Sequence, residues 1–485
     1  MSREESTFRC ACQIRAIAHD SISSASLFLL VSVVAGTALL LLQPSRLTSL
    51  VGTCSCGFST AVAAAIGALL WLYVLRRLAE GYRLPPSLWP KDERSALFRC
   101  VESCLALLGM QLLRRDVHMQ QSPKHMKGKV CAVTGCNSGI GKEIALQLAS
   151  WGARVAVLCR NEEEGKSLAR QIHLQHQKER QEEGDPGQCG SACEEGGCVA
   201  RFIKADLCSL QSLREAAAEV TDFCNSGNAS AENSSADNSK GLDVLVHNAG
   251  VLMARELRVE KTGVETMFYT HVIGPYYLTR LLQRSLQMAG GRVIFVSSLA
   301  QHSAAPTFHP LNAICRDKEY TAAAAAVVAS AAAPASADDG TDPAPWTEET
   351  YNGRVAYACS KLAETCLAAA LQRDFISNSS SSSKRDPSVP LVLSVHPGVV
   401  DTKLPRHLSR QSFLWPLFLS CVRHSLFKTA YQGAATPLLL AAAPRDTLKP
   451  GGYYAEGEEG IADSRATSLA LQDATLAICE ALTGM

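Results

Sequence analysis

Apolar and polar positions divide the chain into two regions of different character. Residues 25–42 and 57–75 are almost wholly apolar, each close to the ~20 residues that cross a bilayer as a helix. From Lys129 onward, short apolar runs alternate with longer segments of helical periodicity. The runs at 129–133, 154–158, 199–204, 242–246, 292–296 and 391–395 read as strands. The segments 142–151, 162–183, 210–223, 263–288 and 354–375 read as helices. This alternation predicts an α/β fold: a Rossmann-type, doubly wound parallel sheet with helices on both faces. Ligands of such sheets bind at the carboxyl ends of the strands.

The two apolar runs predict a membrane-anchoring helical segment ahead of the sheet. Arg3, Arg9 and Arg15 precede them, and Arg76, Arg77, Arg83, Lys91, Arg94 and Arg99 follow. Arg46 alone lies between, so a helical hairpin would leave both flanks on the cytosolic side. The expected organisation is a leader (1–24), two candidate spans (25–75), an amphipathic linker (76–127) and a catalytic domain (128–485). In the linker Leu97, Val101, Leu105, Leu108 and Leu112 recur at helical spacing, a stripe suited to docking or to a membrane surface. An uncleaved anchor without a transit signal makes the endoplasmic reticulum the default location, with the catalytic domain facing the cytosol.

Segments near 184–197, 225–240, 322–345 and 378–387 are rich in Gly, Ser, Ala or Asp and poor in large apolar residues, which marks them as flexible insertions. The net charge of +1 excludes a dominant basic face, so nucleic acid is not an expected partner. The 19 cysteines are scattered and odd in number, as free thiols in a reducing compartment would be, and their spacing predicts no metal site.

The strongest chemical signal is the turn Thr134-Gly135-Cys136-Asn137-Ser138-Gly139-Ile140-Gly141, set between a strand and a helix. Glycines there let the backbone approach a pyrophosphate, and the helix N-terminus offers it free N–H groups. Far downstream Tyr357 and Lys361 stand four apart on a helix and share a face. An ammonium beside a phenol favours the phenolate, which can exchange a proton with a substrate hydroxyl or carbonyl. The lysine can also donate to a cofactor ribose. Ser297 and Ser298 end the strand at 292–296, and Ser298 is the candidate to hydrogen-bond the reacting oxygen.

With these motifs in order, the chain resembles the short-chain dehydrogenase/reductase family. The TGxxxGIG pattern is Thr134 to Gly141, the NAG element is Asn248, Ala249 and Gly250, and YxxxK is Tyr357 to Lys361. Within the family it is most similar to the retinol dehydrogenase and WW-domain-containing oxidoreductase group, through Ala356 to Ala363, Val395 to Thr402, and Gln432 to Thr436. The resemblance implies nicotinamide contacts from Pro397, Gly398 and Thr402, and adenine contacts from Asp206 and Leu207. It implies a substrate-covering segment at 404–428, here apolar with Phe413, Leu414, Trp415, Leu417 and Phe418, which suits a lipophilic substrate or the membrane. A homodimer is expected from the family alone.

One position departs from the pattern. Where the family has a catalytic asparagine that helps hold a water linking the lysine to solvent, this chain has His271, followed by Pro275, which would disturb the helix. Cofactor choice turns on the end of the second strand, which reads Cys159-Arg160-Asn161 without a carboxylate. Arg160, with Asn161 beside it, is therefore the candidate for a 2′-phosphate, and NADP(H) is expected over NAD(H). The reading is a membrane-anchored, NADP(H)-dependent alcohol or carbonyl oxidoreductase acting on a small lipophilic substrate such as a retinoid, steroid or lipid aldehyde. The alternative is a catalytically weak nucleotide-binding scaffold or redox sensor, motivated by His271 and the insertions.

Overall fold

The computed structural model describes residues 126–182, 199–226, 241–252, 257–260, 262–305, 307–314, 345–379, 386, 388–398, 400 and 428–485. The two apolar runs, the 97–112 stripe, Thr402, most of the 404–428 segment and most of the four insertions lie outside them. Among the described residues no helix is long and apolar enough to cross a membrane.

Strands and helices alternate as β1 (Val130–Thr134), α1 (Gly139–Ser150), β2 (Arg154–Cys159), α2 (Glu162–Glu182), β3 (Ala200–Lys204), α3 (Leu210–Asn225) and β4 (Val244–His247). There follow α4 (Gly274–Leu281), α5 (Gln283–Ala289), β5 (Arg292–Val296), α6 (Gly353–Ser377), β6 (Leu391–His396), α7 (Ala430–Ala442), β7 (Tyr453–Ala455), β8 (Glu458–Glu459) and α8 (Leu469–Thr483). The sheet order is β3-β2-β1-β4-β5-β6-β7-β8, parallel except for the β7–β8 pair. The order reverses at β1, so the edge between β1 and β4 is the switch point where a doubly wound sheet opens a crevice.

Both faces of the sheet are covered, which is why its strands are apolar throughout rather than alternating. Val130, Ala132, Val293 and Phe295 join the core beneath α3, α4, α6 and α8. Their neighbours Cys131, Val133, Ile294 and Val296 join the opposite core beneath α1, α2 and α7. The eight described cysteines are free and seven of them are buried, consistent with the composition. Connections from helix to strand return at the amino edge of the sheet, and connections from strand to helix leave at the carboxyl edge. The segments 183–198, 227–240 and 380–387 therefore depart from and rejoin the described chain at the amino edge.

The long helix expected over 263–288 is broken. A single turn, Thr266–Phe268, runs into a π-helical turn, Tyr269–Ile273, before α4 begins. Pro275 is the cause, since it has no N–H to give the carbonyl of His271 four residues back. The chain widens instead, and Gly274 donates to the carbonyl of Tyr269.

Candidate active site

The glycine turn and the NAG element form one structure. Thr134 closes β1, and its Oγ1 accepts N–H groups of Asn248 (3.0 Å) and Ala249 (3.1 Å) while donating to the Val246 carbonyl (3.3 Å). Asn248 Nδ2 returns a bond to the Thr134 carbonyl at 3.1 Å. Gly135 has φ +71°, and a Cβ there would lie 2.7 Å from the Ala249 Cα. A Cβ on Gly141 would stand 2.3 Å from Asn248 Nδ2 and 2.6 Å from the Gly135 carbonyl. Glycine is required at both by position and by close approach.

The same turn fits a dinucleotide phosphate. Ser138 is the N-cap residue of α1, but its side chain makes no cap bond, and the first turn carries no acidic residue. The free N–H groups and positive end of the helix dipole are thus presented without competition. Gly139 holds φ +60° next to it, and Ile140 packs into the core beneath α7.

Further along the carboxyl edge, Arg160 and Asn161 are exposed after β2. Asn161 is occupied locally, its Oδ1 accepting the Glu164 N–H at 3.2 Å as a cap on α2. Asn137 donates to Glu164 Oε2 at 2.7 Å. A carboxylate therefore stands beside the glycine turn after all, four residues past Arg160, where a strand-end reading does not look. Asp206, after β3, turns inward on its own loop, accepting from Cys208 N at 3.1 Å. Leu207 is buried against Gly274, whose Cβ would lie 2.3 Å from the Leu207 carbonyl.

The proton-transfer candidates converge on the N-terminal half of α6, capped by Asn352. The His271 ring meets the Tyr357 ring edge-on at 5.6 Å, and Lys361 Nζ lies 6.0 Å from the Tyr357 ring centre. A Cβ on Gly250 would be 3.3 Å from His271 Nε2 and 3.9 Å from Lys361 Nζ, so the NAG element abuts this group. Ser298 stands two residues past β5 and caps the following 3-10 turn, its Oγ accepting from Ala300 N at 3.2 Å. Ser297 is structural, since its buried Oγ donates to the Lys361 carbonyl at 3.0 Å and lies 2.9 Å from Thr365 Oγ1.

His271 does not hold a water in the asparagine's manner through its ring. Nε2 accepts the Val251 N–H at 3.0 Å, which places the ring proton on Nδ1, 2.8 Å from Ser360 Oγ. Ser360 Oγ in turn donates to the Tyr357 carbonyl at 2.8 Å. Burial first, then the Lys361 charge, holds the imidazole neutral, well below its ordinary range. Lys361 has a partner that sequence reading missed. Its Nζ donates to Glu364 Oε2 at 2.8 Å and to the Val296 carbonyl at 2.9 Å, with side-chain exposures of 4% and 2% for the ion pair. Desolvation pushes the Glu364 carboxyl up to about 7 despite the adjacent ammonium. The i,i+3 spacing on a helix with an otherwise apolar flank was the available signal.

Pro397 and Gly398 follow β6, Gly398 with φ +89°. A Cβ on Gly398 would meet Lys428 Cδ at 2.7 Å, and Lys428 Nζ is paired with Glu456 Oε1 at 2.7 Å. Val400 pairs with Lys428 across the undescribed stretch between them.

A dinucleotide-type glycine turn at a switch point, with a Tyr-Lys pair and a strand-end serine on the same edge, defines the class of nicotinamide-dependent oxidoreductases. The family model for short chain dehydrogenases matches residues 129–186 and 183–329. Human retinol dehydrogenase 12 is 30% identical over 334 residues, covering 68% of this chain and 78% of that protein. Human retinol dehydrogenase 14 is 27% identical over 351 residues, covering 72% and 83%. The crystal structure of a short-chain type dehydrogenase/reductase from Mycobacterium marinum aligns with TM-score 0.42 and 19% identity, over 71% of this chain and 98% of that one. The chain belongs to the short-chain dehydrogenase family of oxidoreductases, on its retinol dehydrogenase-like side.

Proposed function

We propose that the protein is a membrane-anchored, NADP(H)-dependent oxidoreductase that interconverts an alcohol and a carbonyl on a small lipophilic substrate, a retinoid, steroid or lipid aldehyde. The observation that carries the reading is the grouping of Tyr357, Lys361 and Gly250 beside a glycine turn that only a bare backbone can form. The bound nicotinamide supplies or takes the hydride. Gly135, Asn137, Ser138, Gly139, Ile140 and Gly141 would hold the pyrophosphate and adjoining ribose, and Asn248, Ala249 and Gly250 would floor the site. Asp206 and Leu207 would border the adenine, and Pro397, Gly398 and Thr402 the carboxamide.

Tyr357 would pass a proton to or from the substrate oxygen, Ser298 would orient that oxygen, and Lys361 would fix the ribose and support the phenolate. His271 packs against Tyr357 and locks Ser360, so it orders the helix that carries the tyrosine. Arg160 supports NADP(H) as an exposed cation after β2. The apolar residues of 404–428 and the runs at 25–75 support a substrate that partitions into bilayers, with the endoplasmic reticulum as the membrane. The names of the relatives in the comparison support a retinoid within that class.

The test is NADPH consumption by the full chain in detergent with retinal, steroid ketones and fatty aldehydes, beside Tyr357→Phe. Turnover lost in the variant by ~100-fold or more supports the reading. Turnover with small polar ketones alone would overturn the substrate class. Tight nucleotide binding without turnover would favour the scaffold or sensor alternative.

A further inference from the structure

Lys361 is the residue on which nucleotide binding and proton transfer meet, and its ammonium is already engaged. An ammonium has three N–H donors. One is given to Glu364 Oε2 and one to the Val296 carbonyl. A ribose diol offers two oxygens and takes two donors, so Lys361 must release one present partner to bind it. The Val296 carbonyl belongs to the last residue of β5 and stays where the sheet holds it. Glu364 is a side chain three residues away on the same helix, and of the two partners it alone can become neutral.

We propose that nucleotide binding at this site, itself part of the function proposed above, is coupled to proton uptake by Glu364: Lys361 turns its ammonium from Glu364 to the ribose hydroxyls, and the carboxylate left behind takes one proton from solvent. The step breaks the Lys361–Glu364 ion pair and forms one O–H bond on Glu364; no electron moves.

Among the described residues Glu364 has no other counter-ion. Lys361 is the single charged group acting on it there, and its other influence is desolvation. Around α6, the titratable groups on neighbouring elements are His271 on the π turn, Glu265 before it, Arg292 on β5, His302 after β5, His396 on β6, Asp463 and Arg465 before α8, and Asp473, Cys479 and Glu480 on α8. None of them contributes to the Glu364 shift. His271 and His396 are buried and neutral, and Arg465 is spent on Asp463 at 2.9 Å. A carboxylate in this place without Lys361 would be an unpaired buried charge, which proteins avoid by protonation.

The experiment is calorimetry of NADH and NADPH binding to the full chain in detergent, in buffers of different ionisation enthalpy, from pH 7 to 9. NADH removes the titration of the 2′-phosphate from the comparison. Wild type is expected to take up a large part of one proton per nucleotide, so that affinity weakens by up to ~10-fold per pH unit on the alkaline side. Glu364→Gln is expected to bind with that uptake and pH slope removed, and Glu364→Asp to restore both in part. Binding by wild type with a flat pH profile would overturn the proposal, as would equal uptake in wild type and Glu364→Gln. The wild-type series decides this even if the variant does not fold. Failure of wild type to bind either nucleotide would instead overturn the reading beneath it.

Discussion

The imidazole Nδ1 of His271 and the hydroxyl of Ser360 stand 2.8 Å apart, joining the π turn to the helix that carries Tyr357. The bond is one of two that satisfy a buried ring. His271→Ala leaves the Val251 N–H without its acceptor and Ser360 without its donor, at a cost of about 2–4 kcal/mol. Ser360→Ala removes one bond and should cost about 1–2 kcal/mol. Urea unfolding of the three proteins checks the order; equal stabilities would show that the ring carries no structural load.

Acid should destabilise the protein through its buried histidines. His247 and His396 are pushed down to about 3 by burial, and His271 well below its usual value. Each stays neutral in the fold while the unfolded chain takes up a proton near pH 6.5. Their stabilising contribution is therefore complete above that pH and is lost as pH falls below it, by about 1.4 kcal/mol per histidine per unit. Glu364, raised to about 7, works the other way between pH 7 and the ordinary glutamate range and offsets one of the three. His247→Gln should lower the acid slope of the unfolding free energy by about one proton. An unchanged slope would contradict the assignment of His247 as neutral.

Cofactor preference should respond to two opposed charges. Arg160→Ala should weaken NADPH binding by ~10-fold and leave NADH nearly unchanged, as loss of a charge-assisted contact to the 2′-phosphate. Glu164→Gln, by removing the carboxylate that Asn137 holds beside the turn, should strengthen NADPH relative to NADH. Titrations of both nucleotides with each variant measure the ratio. Loss of NADH binding in Glu164→Gln would instead place that carboxylate on a ribose hydroxyl.

Gly141→Ala should disable the cradle. The added methyl would meet the Asn248 amide and the backbone carbonyl of Gly135, neither of which is free to move. A cost of about 1–3 kcal/mol in stability is expected, with nucleotide affinity lost. Retained affinity would show that the turn relaxes.

Much of this arrangement was readable in the residues. Val, Ile and Ala runs located β1 to β6 to within a residue or two, because strands buried on both faces are apolar throughout. Motif spacing located the glycine turn, the NAG element and the Tyr357–Lys361 pair. Pro275 announced a disturbance of the long helix, though not its form as a π turn at Tyr269–Ile273. Two things were not readable. The two-residue strand β8 carries too few residues for periodicity to register. Glu364 and Glu164 looked like ordinary helix carboxylates, since a charge shows its importance only when the fold removes it from water or sets it beside a site. His271 was marked as a substitution, but the sequence could not say that both ring nitrogens are engaged.

The return of the helix-to-strand connections to the amino edge has a practical consequence. Three of the low-complexity segments leave and rejoin the described chain at helix-to-strand connections, on the edge of the sheet opposite the one that carries Tyr357. Epitope tags or fluorophores placed at 183–198, 227–240 or 380–387 should report on this protein in cells while leaving turnover intact.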